Sequence, residues 1–241
     1  MNSEYYNLTS LYVILMSLIL GFTVVQTLRL FGTQKKVLLV LSATLSLWLF
    51  AVIQVTAIDF FPTSKIGFLI AILGFAMSIT LVTLLSPLRK ALFKVPQEFL
   101  LMPQGLRVFF GAGFLVEASL GIIPTTFGIL DGVTHITAAF YALFAAILLR
   151  SRWSSRRVIF TSNLFGLVDI LIVACGIPLA ILGEISIHHN MMYAAFFAAP
   201  IFFTLHVVSI YKAIQEVPFE VSTKASEVAA SLSHSSGGAI S

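Results

Sequence analysis

The chain has 241 residues, of which 59 % are hydrophobic and 10 % are charged, and its mean hydropathy is +1.02. About a quarter of the residues in a soluble domain are charged, so this composition excludes an ordinary soluble domain. The net charge of +4 does not indicate nucleic-acid binding, because the basic residues are spread over short connections instead of forming one patch.

Seven long apolar runs follow one another along the chain, and each reaches the length of about 20 residues that a helix needs to cross a bilayer. We therefore predict an all-α polytopic bundle of seven transmembrane helices. The predicted helices are 9–30, 37–58, 66–86, 100–121, 127–149, 158–182 and 190–213. The Ser-rich segment 214–241 has little apolar content and is predicted to be a disordered cytoplasmic tail.

The connections between these runs alternate between basic and nearly uncharged. The first carries Arg29, Lys35 and Lys36, whereas the second carries only Lys65. Twelve of the 14 Lys and Arg residues lie in the odd-numbered connections, at the run ends beside them, or at the end of the seventh run and beyond it. The positive-inside rule then predicts an outside N-terminus and a cytoplasmic C-terminus. The first run has no preceding positive charge and no cleavage site, so we expect it to remain as a helix.

Two prolines fall inside predicted helices. Pro178 lies in the sixth and Pro200 in the seventh. A proline lacks the N–H of the helical ladder and crowds the preceding turn, so both helices should be distorted there.

Four ionisable residues in the outer half or centre of the predicted membrane form the main candidate site. Burying a charge there costs about 2.5–3.5 kcal/mol on insertion scales, so each needs a partner or a function. Helical rise places Asp131 and His135 roughly 6 and 12 Å below the outer boundary, with Glu117 at a similar depth and Asp169 near the middle. We expect these four residues to converge on one polar, outward-facing cavity that binds a small solute or a proton.

Helical phase predicts that these polar groups face the bundle interior. Asp131 and His135 are four residues apart and share one face. Their face continues with small residues, which favour close helix contacts. The polar and small positions coincide on three helices: Asp131, His135, Ala138 and Ala142; Asn163, Gly166, Asp169 and Gly176; Ala195, Ala199, His206 and Ser209.

Three further intramembrane polar residues are interpreted as structural. Arg107 is placed near the cytoplasmic boundary, where a long side chain can extend to the interface. Asn163 and His206 are interpreted as packed side chains that form hydrogen bonds between helices.

No cofactor is predicted. Lys212 lies at the very end of the last helix, so the mid-membrane lysine that retinal requires is missing. His135 and His206, at about 12 and 24 Å from the outer face by helical rise, do not match in depth as paired haem ligands would. No metal is predicted, although Asp131 and His135 have a usable spacing that Glu117 or Asp169 could complete into a zinc site.

The segment from Gln104 to Ala139 carries the pattern Q-x-x-R, then F-L, then G-x-x-P-x-x-F and D. The matching residues are Gln104, Arg107, Phe114, Leu115, Gly121, Pro124, Phe127, Asp131 and Ala138. This segment resembles a group of uncharacterised bacterial multi-pass membrane proteins. Its Gly-rich stretch is shorter than theirs, and His135 stands where the group usually has Gly. The resemblance implies a bacterial cytoplasmic membrane and brings no activity with it.

These observations favour a transporter-like carrier or a ligand-binding sensor, embedded in the lipid bilayer and acting on a small solute or a proton. A partner subunit or scaffold without solute chemistry is the alternative, with Ala194, Ala195, Ala198 and Ala199 as a face between chains. Both hypotheses are compatible with an oligomer. An intramembrane metalloenzyme is a third hypothesis.

Overall fold

The computed structural model describes residues 3–58, 60, 64–151, 156–177, 179 and 191–215, and these residues are helical apart from short connections. The helices are α1 (Ser3–Leu30), α2 (Lys35–Ala57), α3 (Lys65–Leu85), α4 (Leu88–Lys94), α5 (Gln97–Leu101), α6 (Arg107–Ser119), α7 (Thr125–Arg150), α8 (Arg156–Gly176), α9 (Met191–Tyr193) and α10 (Ala199–Gln215). The predicted tail beyond residue 215, Pro178 and the predicted segment 180–190 lie outside the described residues.

Seven segments within the described residues are long and apolar enough to cross a membrane. Helices α2, α3, α7 and α8 and most of α1 are spans by themselves. The fourth span, Gln97–Ser119, combines α5, a 3₁₀ turn and α6, and the seventh is Ala194–Gln215. The prediction of an all-α bundle with seven spans is confirmed, and the chain is that of a membrane protein.

The fourth span differs most from its prediction as one helix over 100–121. It begins earlier, at Gln97, and a 3₁₀ turn over Met102–Leu106 separates α5 from α6. Pro103 lies in this turn and has no N–H for an α-helical hydrogen bond. The connection before it, expected as a loop, forms the short helix α4 and carries Arg89 and Lys90.

The seventh span contains a π-helical segment, Ala194–Ala198, shortly before Pro200. The ring of Pro200 crowds the carbonyl group four residues earlier, and the wider π turn relieves that contact. The distortion predicted at Pro200 takes this form.

Basic residues at the ends of several described helices lie together at one end of the bundle. There, Lys212 donates a hydrogen bond to the carbonyl oxygen of Val95 at 2.5 Å. The guanidinium of Arg89 lies 3.3 Å from the hydroxyl of Tyr211. We call this end, which also carries Arg29, Lys35, Lys36, Lys90 and Arg150, the basic end.

Helices α6 and α7 pack so closely that their backbones touch. A Cβ atom on Gly111 would lie 2.6 Å from the carbonyl oxygen of Gly132, and one on Gly132 would lie 2.9 Å from the carbonyl oxygen of Gly111. No side chain larger than hydrogen fits between these backbones. This contact places Asp131, the neighbour of Gly132, against α6.

Replacing Gly111 by Ala should therefore lower the apparent Tm of the detergent-purified protein by several degrees. Overpacking costs about 1–3 kcal/mol, and 1 kcal/mol shifts the Tm of a chain of this size by about 2–4 °C. Gly74→Ala in α3 is the matched control, because nothing lies within 4 Å of a Cβ atom there. An unchanged or raised Tm for Gly111→Ala would contradict the close contact of α6 and α7.

Candidate functional site

Arg107 is the first residue of α6, and its side chain is fully buried. Its Nη2 atom donates to Oδ2 of Asp169, and its Nη1 atom donates to the carbonyl oxygen of Gly166 at 3.1 Å. The interpretation of Arg107 as a residue that extends to the boundary is wrong. The span starts at Gln97, so Arg107 lies about 15 Å inside it by helical rise, near the middle of the membrane.

Gly166 on α8 makes room for this arrangement. A Cβ atom at Gly166 would overlap the ring of His206 and would lie 3.1 Å from Nη1 of Arg107. Only glycine lets the arginine and the histidine approach the α8 backbone together. The stripe of small and polar residues predicted on the sixth helix therefore has a direct structural role.

His135 on α7 lies between two carboxylates. Its Nδ1 atom is 2.9 Å from Oδ1 of Asp131 and 3.1 Å from Oδ2 of Asp169. The ring of Phe114 packs edge-on against the imidazole, with 5.7 Å between the ring centroids, and restricts its orientation. Three residues that the sequence analysis singled out, from α7 and α8, thus meet at one point.

Several polar atoms at this point have no hydrogen-bond partner among the residues that the structure describes. They are both carboxylate oxygens of Asp131, Oδ1 of Asp169, Nδ1 of His135 and Nε of Arg107. The Nδ1 atom of His135 is within contact distance of two oxygens, but its N–H is aligned with neither. Asp131 is only 1 % exposed. An ionised carboxylate without donors is costly at such a place, so the site has the capacity to bind a further positive charge.

A chain of hydrogen bonds leads from Arg107 to the basic end of the bundle. Nη1 of Arg107 lies 3.2 Å from Nε2 of His206, whose Nδ1 lies 2.9 Å from Oδ1 of Asn163. Asn163 donates to Oγ of Ser209 at 2.9 Å, and Ser209 donates to Oε1 of Gln97 at 2.8 Å. We call these residues, together with Asp169, His135 and Asp131, the polar network.

The donors and acceptors of these hydrogen bonds define the protonation state of the His206 imidazole. The amide nitrogen of Asn163 donates to Ile159 and Ser209, so its Oδ1 atom must accept from Nδ1 of His206. The guanidinium of Arg107 can only donate, so Nε2 of His206 must accept. His206 is therefore neutral in this arrangement, and it is a buried side chain with hydrogen-bond partners on α6 and α8.

The fixed charges of the network leave one negative charge without a partner of opposite sign. Arg107 and Asp169 form an ion pair and cancel, and His206 is neutral. The pair of Asp131 and His135 remains, with a net charge of −1 when the imidazole is neutral. One added proton makes the whole network electrically neutral, which a low-dielectric membrane interior favours.

A small cavity of about 40 Å³ adjoins His135. A single water needs about 10–15 Å³ on this measure, so a few waters or a small group fit. Apart from His135 its lining is apolar, including Phe110, Phe114, Ile170 and Phe202. Of the four residues expected to converge on one polar cavity, only His135 lines this one, and the rest of its wall is apolar.

The four alanines assigned to a face between chains contribute to this same cavity. Ala194, Ala195 and Ala198 are buried, and Ala199 is partly buried. All four line the cavity. The suggestion that they form an exposed face for a second chain is wrong, because the π segment packs into the bundle.

A metal ion could be held by Asp131, His135 and Asp169, whose ligand atoms lie within 4.8 Å of one another. Glu117 is equally buried but does not belong to this group. The separations of 2.9 and 3.1 Å are close to the ligand spacing of about 3.3 Å around a tetrahedral zinc with bonds of about 2.0 Å. The neighbouring guanidinium of Arg107 opposes a divalent cation, whereas it does not prevent one proton from binding.

The comparisons with known proteins identify the family of the chain. The model of a family described as Domain of unknown function (DUF8737) matches residues 61–214, which is more than half of the chain. The chain belongs to this family. The matched segment contains every residue of the polar network, from Gln97 to Ser209. No curated protein and no solved structure matches the chain.

A double-mutant cycle should detect the pairing of Arg107 with Asp169. Arg107→Met and Asp169→Leu should each lower the apparent Tm strongly, because removal of one partner of a buried ion pair costs about 3–5 kcal/mol in soluble proteins. The apparent Tm of the double variant should fall by clearly less than the sum of the two single decreases, since this variant leaves neither partner charged and unpaired. Thermal unfolding in detergent measures this. Arg107→Met combined with the exposed Lys90→Gln is the additive control, and additivity for Arg107 with Asp169 would refute their pairing.

Proposed function

We propose that the protein binds one proton at the Asp131–His135 pair and couples it to a small solute in the adjacent cavity, as a proton-linked carrier or sensor. The observation that carries this proposal is the position of Nδ1 of His135 between two buried carboxylates. Three of the four carboxylate oxygens there lack a hydrogen-bond partner among the described residues. Groups of this kind within a membrane mark proton or substrate pathways.

The polar network supports a proton as the first ligand. The Asp131–His135 pair contacts Asp169, which pairs with Arg107. From Arg107 the network continues through His206, Asn163 and Ser209 to Gln97 near the basic end. Such a connection polarises the site and responds as a unit when one proton is added. The charge count also favours a proton as the first ligand, because one added proton makes the network electrically neutral.

The apolar cavity beside His135 supports a small, largely apolar solute or a few waters as the second ligand. The imidazole is the one polar group that such a solute would meet. Its hydrogen-bonding capacity changes when the proton arrives, since neutral imidazole offers a donor and an acceptor and imidazolium offers two donors. This change would couple the proton to the solute.

The positive-inside rule supports an outside N-terminus and a cytoplasmic basic end. The resemblance of the segment from Gln104 to Ala139 to bacterial multi-pass proteins supports the bacterial cytoplasmic membrane as the location. In this orientation the polar network ends on the cytoplasmic side at the buried Gln97, and the Asp131–His135 pair lies on the outer side of Arg107.

Infrared spectroscopy of the reconstituted protein tests the proton site directly. We expect either the carbonyl band of a protonated carboxylic acid or an imidazolium band, because one added proton makes the network electrically neutral. Asp131→Asn should remove this band, since the remaining residues are neutral without a proton. Glu98→Gln, in the fourth span and outside the polar network, is the control and should retain it. Spectra showing only neutral imidazole and ionised carboxylate for this pair would contradict the proposal.

A thermal-shift screen against amines, sugars, organic acids and divalent metals tests the solute. A ligand at a hundred times its Kd should add about 2.7 kcal/mol of stability. We expect an organic hit that disappears in Asp131→Asn and persists in Glu98→Gln. A hit with zinc alone would favour the metal site instead. A blank screen with a strongly destabilised Asp131→Asn would favour a structural role of the network.

A further inference from the structure

A second, larger concavity lies away from the polar network. It is a groove of about 460 Å³ between α2 and α3, with α1, α4 and α10 behind it. Its lining is apolar except for Lys36, Thr44, Thr83, Ser86, Thr204 and the indole N–H of Trp48. No residue lines both the groove and the cavity at His135, although different residues of α3 and α10 contribute to each.

The floor and the rim of the groove differ in exposure. Leu28, Leu92 and Ile201 on its floor are buried. Val40 of α2 and Val82 of α3 on its rim are 59 % and 64 % exposed. Exposed valines on two membrane-spanning helices face hydrocarbon, so the groove is open sideways to the bilayer.

Aromatic contacts close the groove at its inner end. The indole of Trp48 packs edge-on against Phe75 of α3, with 5.5 Å between the ring centroids. It also packs against Phe197 of the π segment at 4.9 Å. The groove lies between α2 and α3, on the side of this contact that faces the basic end.

The length of the groove corresponds to one leaflet. Lys36 and Trp48 are twelve residues apart on α2 and so about 18 Å apart by helical rise. Half of the hydrocarbon core of a bilayer is about 15 Å thick. The groove therefore extends from the interface at the basic end to the middle of the membrane.

The charge at the mouth of the groove is positive. Lys36 lines it and is exposed. Lys35 lies next to Lys36, and Lys90 lies on α4 at the same end. Basic side chains at this depth attract the headgroups of anionic lipids, by about 1 kcal/mol for each Lys or Arg.

We propose that this groove is a binding site for one acyl chain of an anionic phospholipid from the leaflet at the basic end. The chain lies between α2 and α3 on the floor formed by Leu28, Leu92 and Ile201, and its end reaches Trp48. The phosphate of the headgroup is bound by Lys36. This site binds lipid independently of the proton at Asp131 and His135.

The experiment uses the full chain in detergent with one equivalent of a phosphatidylglycerol that carries a photoreactive diazirine in its acyl chain. After irradiation, mass spectrometry of the peptides locates the label. We expect label on the groove residues of α2, α3 and α10. We also expect competition by unlabelled phosphatidylglycerol about fivefold better than by phosphatidylcholine, since one lysine contributes about a factor of five.

Two pairs of variants distinguish this site from lipid that merely surrounds the protein. Val40→Trp fills the groove and should remove most of the label, whereas Leu39→Trp, on the opposite face of α2, should leave it unchanged. Lys36→Gln should abolish the preference for phosphatidylglycerol, whereas Lys35→Gln should retain most of it. All four positions are exposed, so folding should not be affected.

Three results would overturn the proposal. The first is equal labelling of the groove and of the Leu39 face, which would indicate surrounding lipid only. The second is unchanged groove labelling in Val40→Trp. The third is a gain of groove labelling when the chain is shortened after Gln215, which would show that the C-terminal segment of the protein occupies the groove instead.

Discussion

The ion pair between Arg107 and Asp169 is the interaction on which the rest of the site depends. A guanidinium near the middle of a membrane is costly unless it is paired and its donors are used. Its two terminal nitrogens contact Asp169 and Gly166 of α8 and His206 of α10. Because Arg107 begins α6, this one side chain joins three spans and determines how deep the polar network lies.

This arrangement of charges requires glycine at three positions of the bundle, Gly111, Gly132 and Gly166. Gly111 and Gly132 let α6 approach α7 until their backbones touch, which brings Asp131 and His135 to the side of α6. Gly166 leaves the space in which Arg107 and His206 reach the α8 backbone. A methyl group at any of these positions would separate charges whose interaction weakens with distance and with water access. Close packing and charge pairing are therefore parts of one arrangement.

Much of the fold and part of the site could be predicted from the sequence. Hydropathy predicts the seven spans, and helical phase predicts that Asp131, Asn163 and Asp169 are buried, as they are. The role of Arg107 was missed because its depth was estimated from an uninterrupted helix that starts at residue 100. Depth along a helix also placed His135 and His206 far apart, whereas the ion pair of Arg107 with Asp169 lies between them and contacts both. Gln97 was not recognised because its partner Ser209 is 112 residues away in the chain.

The two sites differ in their relation to the family, and α10 is the element that they share. The polar network lies wholly within residues 61–214, whereas the α2 wall of the groove, with Lys36 and Trp48, precedes the matched segment. On α10, Ile201, Thr204 and Leu205 face the groove, and His206 lies on the other side in the network. The floor on which an acyl chain would lie is therefore the reverse face of the helix that holds His206 against Arg107. Family members with a different α2 could change the groove and still keep the network, because no residue of the network comes from α1 or α2.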